Sequence, residues 1–315
     1  MEMTRRSSQL VKPVASLCRA WVLCLVAYVL ASLAPSPLVA ADIVYEPAGK
    51  FPQLQAEYPL GRCSAVAVNS KGEIYLFHRG KQPIICVTPD GNYLRSWGDD
   101  HITTPHGVRV DRQDNVWVTD MGRHRVLKFD PAGKLLLALG TGQRGTGIDQ
   151  FDRPTDVAFG PDDSIYVTDG YGNSRVVHFA ANGRYLKSWG TPGKQPGEFH
   201  LPHAILVDSK QRLLVGDREN NRIQIFDFEG KLLDHWDGYA PYGLAMNKAG
   251  EIFVADARAS QILRLDSAGK VVQRWGQMGT APGEFDTPHM LAFDSADNLY
   301  IAEVGNSRFQ KFLKK

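Results

Sequence analysis

Short apolar runs with period-two alternation recur along most of the 315-residue chain. Six of them begin the repeating units: Cys63-Ser-Ala-Val-Ala-Val68, Pro105-His-Gly-Val-Arg-Val110, Pro154-Thr-Asp-Val-Ala-Phe159, Pro202-His-Ala-Ile-Leu-Val207, Pro241-Tyr-Gly-Leu-Ala-Met246 and Pro288-His-Met-Leu-Ala-Phe293. Their starts lie 42, 49, 48, 39 and 47 residues apart. Each is followed by a polar turn and a second run, such as Asn115-Val-Trp-Val-Thr-Asp120 or Ser164-Ile-Tyr-Val-Thr-Asp169. A third run follows (Arg125 to Phe129, Arg222 to Phe226), then a Gly-containing turn and a fourth, as in Arg184-Tyr-Leu-Lys-Ser-Trp-Gly190. Such alternation with short turns predicts strands rather than helices. Four strands in each unit of forty-odd residues is the pattern of a propeller blade, so the expected fold is an all-β, six-bladed propeller. The sixth unit stops after its third strand, and Asp42-Ile-Val-Tyr-Glu46 can supply the fourth, closing the ring without a free sheet edge.

Residues 1–40 break the pattern. Arg5, Arg6, Lys12 and Arg19 precede an uncharged, mostly apolar run from Trp21 to Ala34, then Pro35 and Pro37, then Leu38-Val39-Ala40. This reads as a secretory signal peptide cut near Ala40 or Ala41, with an uncleaved anchor as the alternative. Arg5-Arg6 raises a twin-arginine route, which Ser8 and Gln9 fit poorly. Residues 41–315 are then the propeller, secreted or periplasmic, with no later segment long and apolar enough to span a membrane. Of the 36 basic and 34 acidic residues, four and one precede residue 41, leaving 32 against 33 in the body. A near-neutral body argues against nucleic acid as partner. Cys63 and Cys86 fall on the first and third strands of one blade. Strands two places apart are about 9.6 Å apart, beyond disulfide reach, so two free thiols are expected.

In a propeller the first strand lies nearest the axis, and the exit of the second returns beside the start of the first. The second residue of each first strand is Ser64, His106, Thr155, His203, Tyr242 or His289. Histidine therefore occupies alternate blades, and three imidazoles converge on the axis. Three histidines with an open position form a catalytic zinc arrangement, although imidazole also suits copper, iron or nickel. The second-strand exits place Arg79 and Arg218 one residue past the Asp position of the repeat, where two guanidinium groups near a metal can grip a substrate carboxylate. The third exit, Asp169-Gly-Tyr-Gly-Asn-Ser-Arg175, is one residue longer and presents Tyr171, a candidate base beside a metal and cations.

The connectors Gln150-Phe-Asp-Arg-Pro154, Glu198-Phe-His-Leu-Pro202 and Glu284-Phe-Asp-Thr-Pro288 resemble NHL repeats, as do the exits Asp217-Arg-Glu-Asn-Asn-Arg222 and Glu303-Val-Gly-Asn-Ser-Arg308. Phe77-His-Arg-Gly80, Pro105-His-Gly107, Pro154-Thr-Asp-Val157, Asp169 to Arg175, Pro202-His203, Asp217 to Asn220 and Pro288-His289 follow the order seen in peptidyl-α-hydroxyglycine α-amidating lyases. That resemblance, over about residues 60 to 310, implies zinc on His106, His203 and His289, Tyr171 as catalytic base, and Arg79 and Arg218 as active-site arginines. The implied activity is a zinc-dependent lyase that cleaves the C–N bond of an N-acyl or peptidyl α-hydroxyglycine to an amide and glyoxylate. The implied partner is a small-molecule or peptide substrate, and a monomer is expected.

The resemblance also implies a structural calcium held by backbone carbonyls matching Cys63 and Val108 and by an aspartate where this chain has Met290. The two carbonyls alone make a weak site for a hard cation. Two cysteine pairs of the family are missing: one falls on Asp152 and Gly172, the other on Leu214 and Ile225. A non-enzymatic NHL module that binds a protein or envelope polymer on its rim is the other class open to these residues. A calcium-dependent lactonase on a similar propeller would favour acidic residues at the axis, where this sequence has imidazoles.

Overall fold

A computed structural model describes residues 42–315; the signal-peptide reading on residues 1–40 lies outside them. Among the described residues every regular element is a strand except one 3-10 turn at Arg218–Asn220. The strands form six four-stranded antiparallel sheets. Blade one holds Cys63–Val68, Ile74–His78, Ile84–Val87 and Tyr93–Trp97. Blade two begins at Pro105–Val110, blade three at Asp156–Phe159, blade four at Pro202–Val207, blade five at Pro241–Met246 and blade six at Pro288–Phe293. Tyr45–Pro47 completes blade six by pairing Tyr45 with Lys314 and Pro47 with Phe312. The expected closure of the ring is thus present.

Blades pack face to face, so a strand inside a blade is covered on both sides. All six second strands are buried at every residue, which the alternation of their sequences does not show. Most exposed strand residues lie on outer strands such as Tyr185–Trp189. The apolar contacts form six clusters, one at each seam between neighbouring blades. Cys63 and Cys86 are free and buried, separated by the strand that pairs with both. The positions of the missing cysteine pairs do lie side by side. Leu214 and Ile225 are direct cross-strand partners, and a Cβ on Gly172 would fall 1.9 Å from the Asp152 carboxylate.

One irregularity repeats and matters for the site. In blades one, two, four, five and six the pairing of the first strand slips by one residue at its head. Such a bulge re-aims the extra side chain. In blade three the strand starts two residues after the head of its run, at Asp156, so Thr155 precedes it, its N–H donating to Thr168 O of the second strand at 2.8 Å. At His106, His203 and His289 the bulge turns the second residue of the run out of the ladder, and the three side chains meet. Exits of second strands lie beside these heads, as in the pairs Pro105 with Asp120 and Pro202 with Asp217.

Candidate metal centre and active site

His106, His203 and His289 meet at the axis, their nearest ring nitrogens all within 4.8 Å of one another. Each is buried. Each donates its Nδ1–H to the carbonyl of the second residue in the next blade: His106 to Thr155 at 2.7 Å, His203 to Tyr242 at 2.6 Å and His289 to Ser64 at 2.6 Å. A carbonyl can only accept, so the proton sits on Nδ1 and the Nε2 lone pair points inward. Thr155, Tyr242 and Ser64 are the intervening positions of the same ring, and their contribution comes through the backbone, which no side-chain pattern reveals.

The three imidazoles are held neutral. Burial, then repulsion from His289, pushes His106 well below the ordinary histidine range. Burial and the His106 charge do the same to His203, and burial brings His289 to about 3. The Nε2 atoms of His106 and His203 face each other at 3.1 Å. With both Nδ1 protons committed, neither nitrogen has a hydrogen to share. Two opposed lone pairs at that distance call for a cation between them, and three neutral imidazoles fit zinc or a neighbouring divalent ion.

Tyr171 reaches the same point. Its hydroxyl lies 3.2 Å from Nε2 of His106 and 3.2 Å from Nε2 of His203. Arg218 Nη1 donates to that oxygen at 3.4 Å, and the guanidinium lies over the Tyr242 ring at 4.5 Å. The Tyr171 loop is tied down on its outer side: Arg153 donates to the Tyr171 carbonyl at 2.8 Å, and Gly172 N–H donates to Asp152 O at 3.0 Å. Asp152 in turn pairs with Arg144 at 2.7 Å and Arg153 at 3.3 Å.

The two arginines differ. Arg218 is neutralised by Glu219 at 2.8 Å, which also pairs with Arg258. Arg79 donates its Nε–H to Pro105 O at 3.2 Å and makes no salt bridge with any described residue. Burial pulls its guanidinium below the ordinary arginine range, and Arg62 adds like-charge repulsion while Tyr171 opposes both. A half-buried guanidinium without a counter-ion beside a metal site suits an anionic ligand. The sequence reading placed both arginines on the rim but did not foresee Glu219, Tyr242 or Arg153 as their neighbours.

Calcium fares differently. Cys63 and Val108 lie buried in neighbouring first strands, and Met290 packs into the seam between blades one and two. Calcium takes six to eight oxygen ligands. Two carbonyls and a thioether do not fit it.

The comparisons agree with this architecture. The NHL repeat family profile matches residues 103–129, 151–179 and 199–226. Peptidyl-alpha-hydroxyglycine alpha-amidating lyase 1 of Drosophila melanogaster is 28% identical, over 81% of this chain and 58% of its own length. NHL repeat-containing protein 3 of Mus musculus is 31% identical, over 82% of this chain and 81% of its own. The chain belongs to this family of NHL-repeat propellers, with the peptidyl-α-hydroxyglycine α-amidating lyases among its members. The Mus musculus peptidyl-glycine alpha-amidating monooxygenase is 30% identical over 88% of this chain, which spans only 32% of that relative. Among solved structures, a streptogramin B lyase superposes with a TM-score of 0.63 over 87% of this chain and 98% of its own, at 15% identity, and so shares the fold.

Proposed function

We propose that this propeller is a metal-dependent carbon–nitrogen lyase acting on an N-acyl or peptidyl α-hydroxyglycine, with zinc as the metal. The observation that carries the reading is the convergence of three neutral, oriented Nε2 atoms with the Tyr171 hydroxyl 3.2 Å from two of them. His106, His203 and His289 would hold a divalent ion there, which would supply acidification of the substrate hydroxyl and neutralise developing oxyanion charge.

The substrate carbon bears a hydroxyl, an amide nitrogen and a carboxylate. Tyr171 Oη is the group in reach to take the hydroxyl proton. The electrons released form the C=O of glyoxylate as the C–N bond breaks. The nitrogen takes a proton, which the same tyrosine oxygen can return, and leaves as the amide. Arg218, hydrogen-bonded to that oxygen, supports its negative charge. Arg79, lacking a carboxylate partner of its own, holds that of the substrate. Export to the periplasm or outside the cell, on the strength of residues 1–40, and action as a monomer belong to the same reading.

The second reading, a binding propeller without activity, draws on the similarity to NHL repeat-containing protein 3, whose name carries no reaction. Burying three unprotonated histidines face to face disfavours it, since such an arrangement without an ion is costly. The test is whether purified, zinc-loaded protein converts α-hydroxyhippurate to benzamide and glyoxylate in equal amounts. Absence of glyoxylate above the enzyme-free rate favours the binding module.

A further inference from the structure

One layer further into the channel, an ion pair spans the axis. Arg109 is the fifth residue of its first-strand run, a place filled by Ala67, Ala158, Leu206, Ala245 and Ala292 in the other blades. Its Nε and Nη2 grip both oxygens of Asp156, at 3.0 and 2.6 Å. The same Nη2 donates to Leu244 O at 3.2 Å and lies 3.5 Å from Ile205 O. Asp156 is fully buried and also accepts the N–H groups of Val157 at 2.9 Å and Ile205 at 3.1 Å. One guanidinium–carboxylate pair therefore ties blades two, three, four and five together across the channel.

We propose that this clamp of Arg109 and Asp156 takes the place in the channel that the family resemblance gives to calcium, so that the propeller is stable without calcium. The geometry supplies the reasons. Ile205 and Leu244 stand at the same register as Val108, the fourth residue of each run, and their carbonyls already accept from or abut a cation that belongs to the chain. The carboxylate calcium would need is Met290 here. The acid that is present, Asp156, lies in blade three, across the ring from Met290 in blade six, and is neutralised by a bidentate partner. A dication brought to this layer meets a fixed guanidinium and finds few free oxygens.

The experiment is thermal unfolding of the zinc-loaded protein with and without millimolar calcium, together with the same scan of Arg109→Met. An ion that binds only the folded state raises its midpoint. The expected wild-type shift on adding calcium is below about 1 °C, since there is no site to fill. Arg109→Met leaves Asp156 buried and unpaired and lowers the midpoint by roughly 5 °C or more. Should Arg109→Met not fold, Arg109→Lys is read in its place: it keeps the charge, loses the fork, and falls in the same direction. A rise of several degrees in the wild type on adding calcium would overturn the proposal, as would an arginine variant as stable as the wild type.

Discussion

Tyr171 owes its reach to one extra residue. Four other exits run five residues from an acidic start to the next strand, as from Asp217 to Arg222, whereas Asp169 to Arg175 spans six. Its ring is covered by Arg218 and Arg153, with guanidinium carbons 5.5 and 5.8 Å from the centroid, so the ring is held independently of its oxygen. Tyr171→Phe is therefore expected to keep the metal and lose turnover by roughly a hundredfold or more, the low end for a lost general base. Metal analysis and steady-state kinetics on one preparation check both halves; near-wild-type turnover would assign the proton transfer to another group. A second residue-scale expectation concerns acid. Burial brings His78 down to about 4 from 6.5, while its Nδ1 accepts from Gly61 N–H at 3.0 Å. Unfolded, it binds a proton below about 6.5; folded, only below about 4. Above that window it is neutral in both states and adds no pH dependence, and stability falls as pH drops through the window by up to about 1.4 kcal/mol per unit. In metal-free protein, His78→Gln is expected to make the thermal midpoint less steep in pH between those values, the remaining slope coming from the other buried histidines. Parallel curves for the two proteins would remove His78 from the account.

At the scale of elements, the loops that carry the site are strapped by a recurring device. Arg175, Arg222 and Arg308 pair with Asp169, Asp217 and Glu303 and also donate to carbonyls of the preceding connector, including Gln150, Glu198 and Glu284. These are the residues that made the NHL pattern readable in the sequence, because the fold reuses one side-chain solution in blades three, four and six. The alternate histidines were readable for the same reason: a ring turns equal register into convergence. The head bulges and the carbonyls that orient each imidazole were not, since every residue has a carbonyl. Arg109 and Asp156 did leave a signal that the reading passed over, being the only charged residues in the six first-strand runs. The Tyr171 loop offers its own test. Gly172 leaves no room for a side chain beside Asp152, so Gly172→Ala must shift the loop or the Asp152 carboxylate, which Arg144 and Arg153 hold. A misplacement of about 1 Å costs rate steeply. The expected loss in kcat/KM is roughly tenfold or more, with metal content unchanged. Unaltered kinetics would mean that this contact does not set the position of Tyr171.

For the whole molecule, the seams and the closing strand do the holding, and the channel residues are carried by them. Six separate apolar clusters fix the blades, and the pairing of Tyr45–Pro47 with the last strand leaves the ring without an open edge. A rigid ring can hold three buried lone pairs toward one point before any ligand arrives, which is what preorganises the site. The central claim is that one metal ion on His106, His203 and His289 makes this ring a lyase. It is tested most directly by titrating metal-free protein with zinc while recording glyoxylate release from α-hydroxyhippurate. The account predicts no release at the start, a linear rise and a plateau at one zinc per chain. Full activity in the metal-free protein, or none after one equivalent has bound, would contradict it.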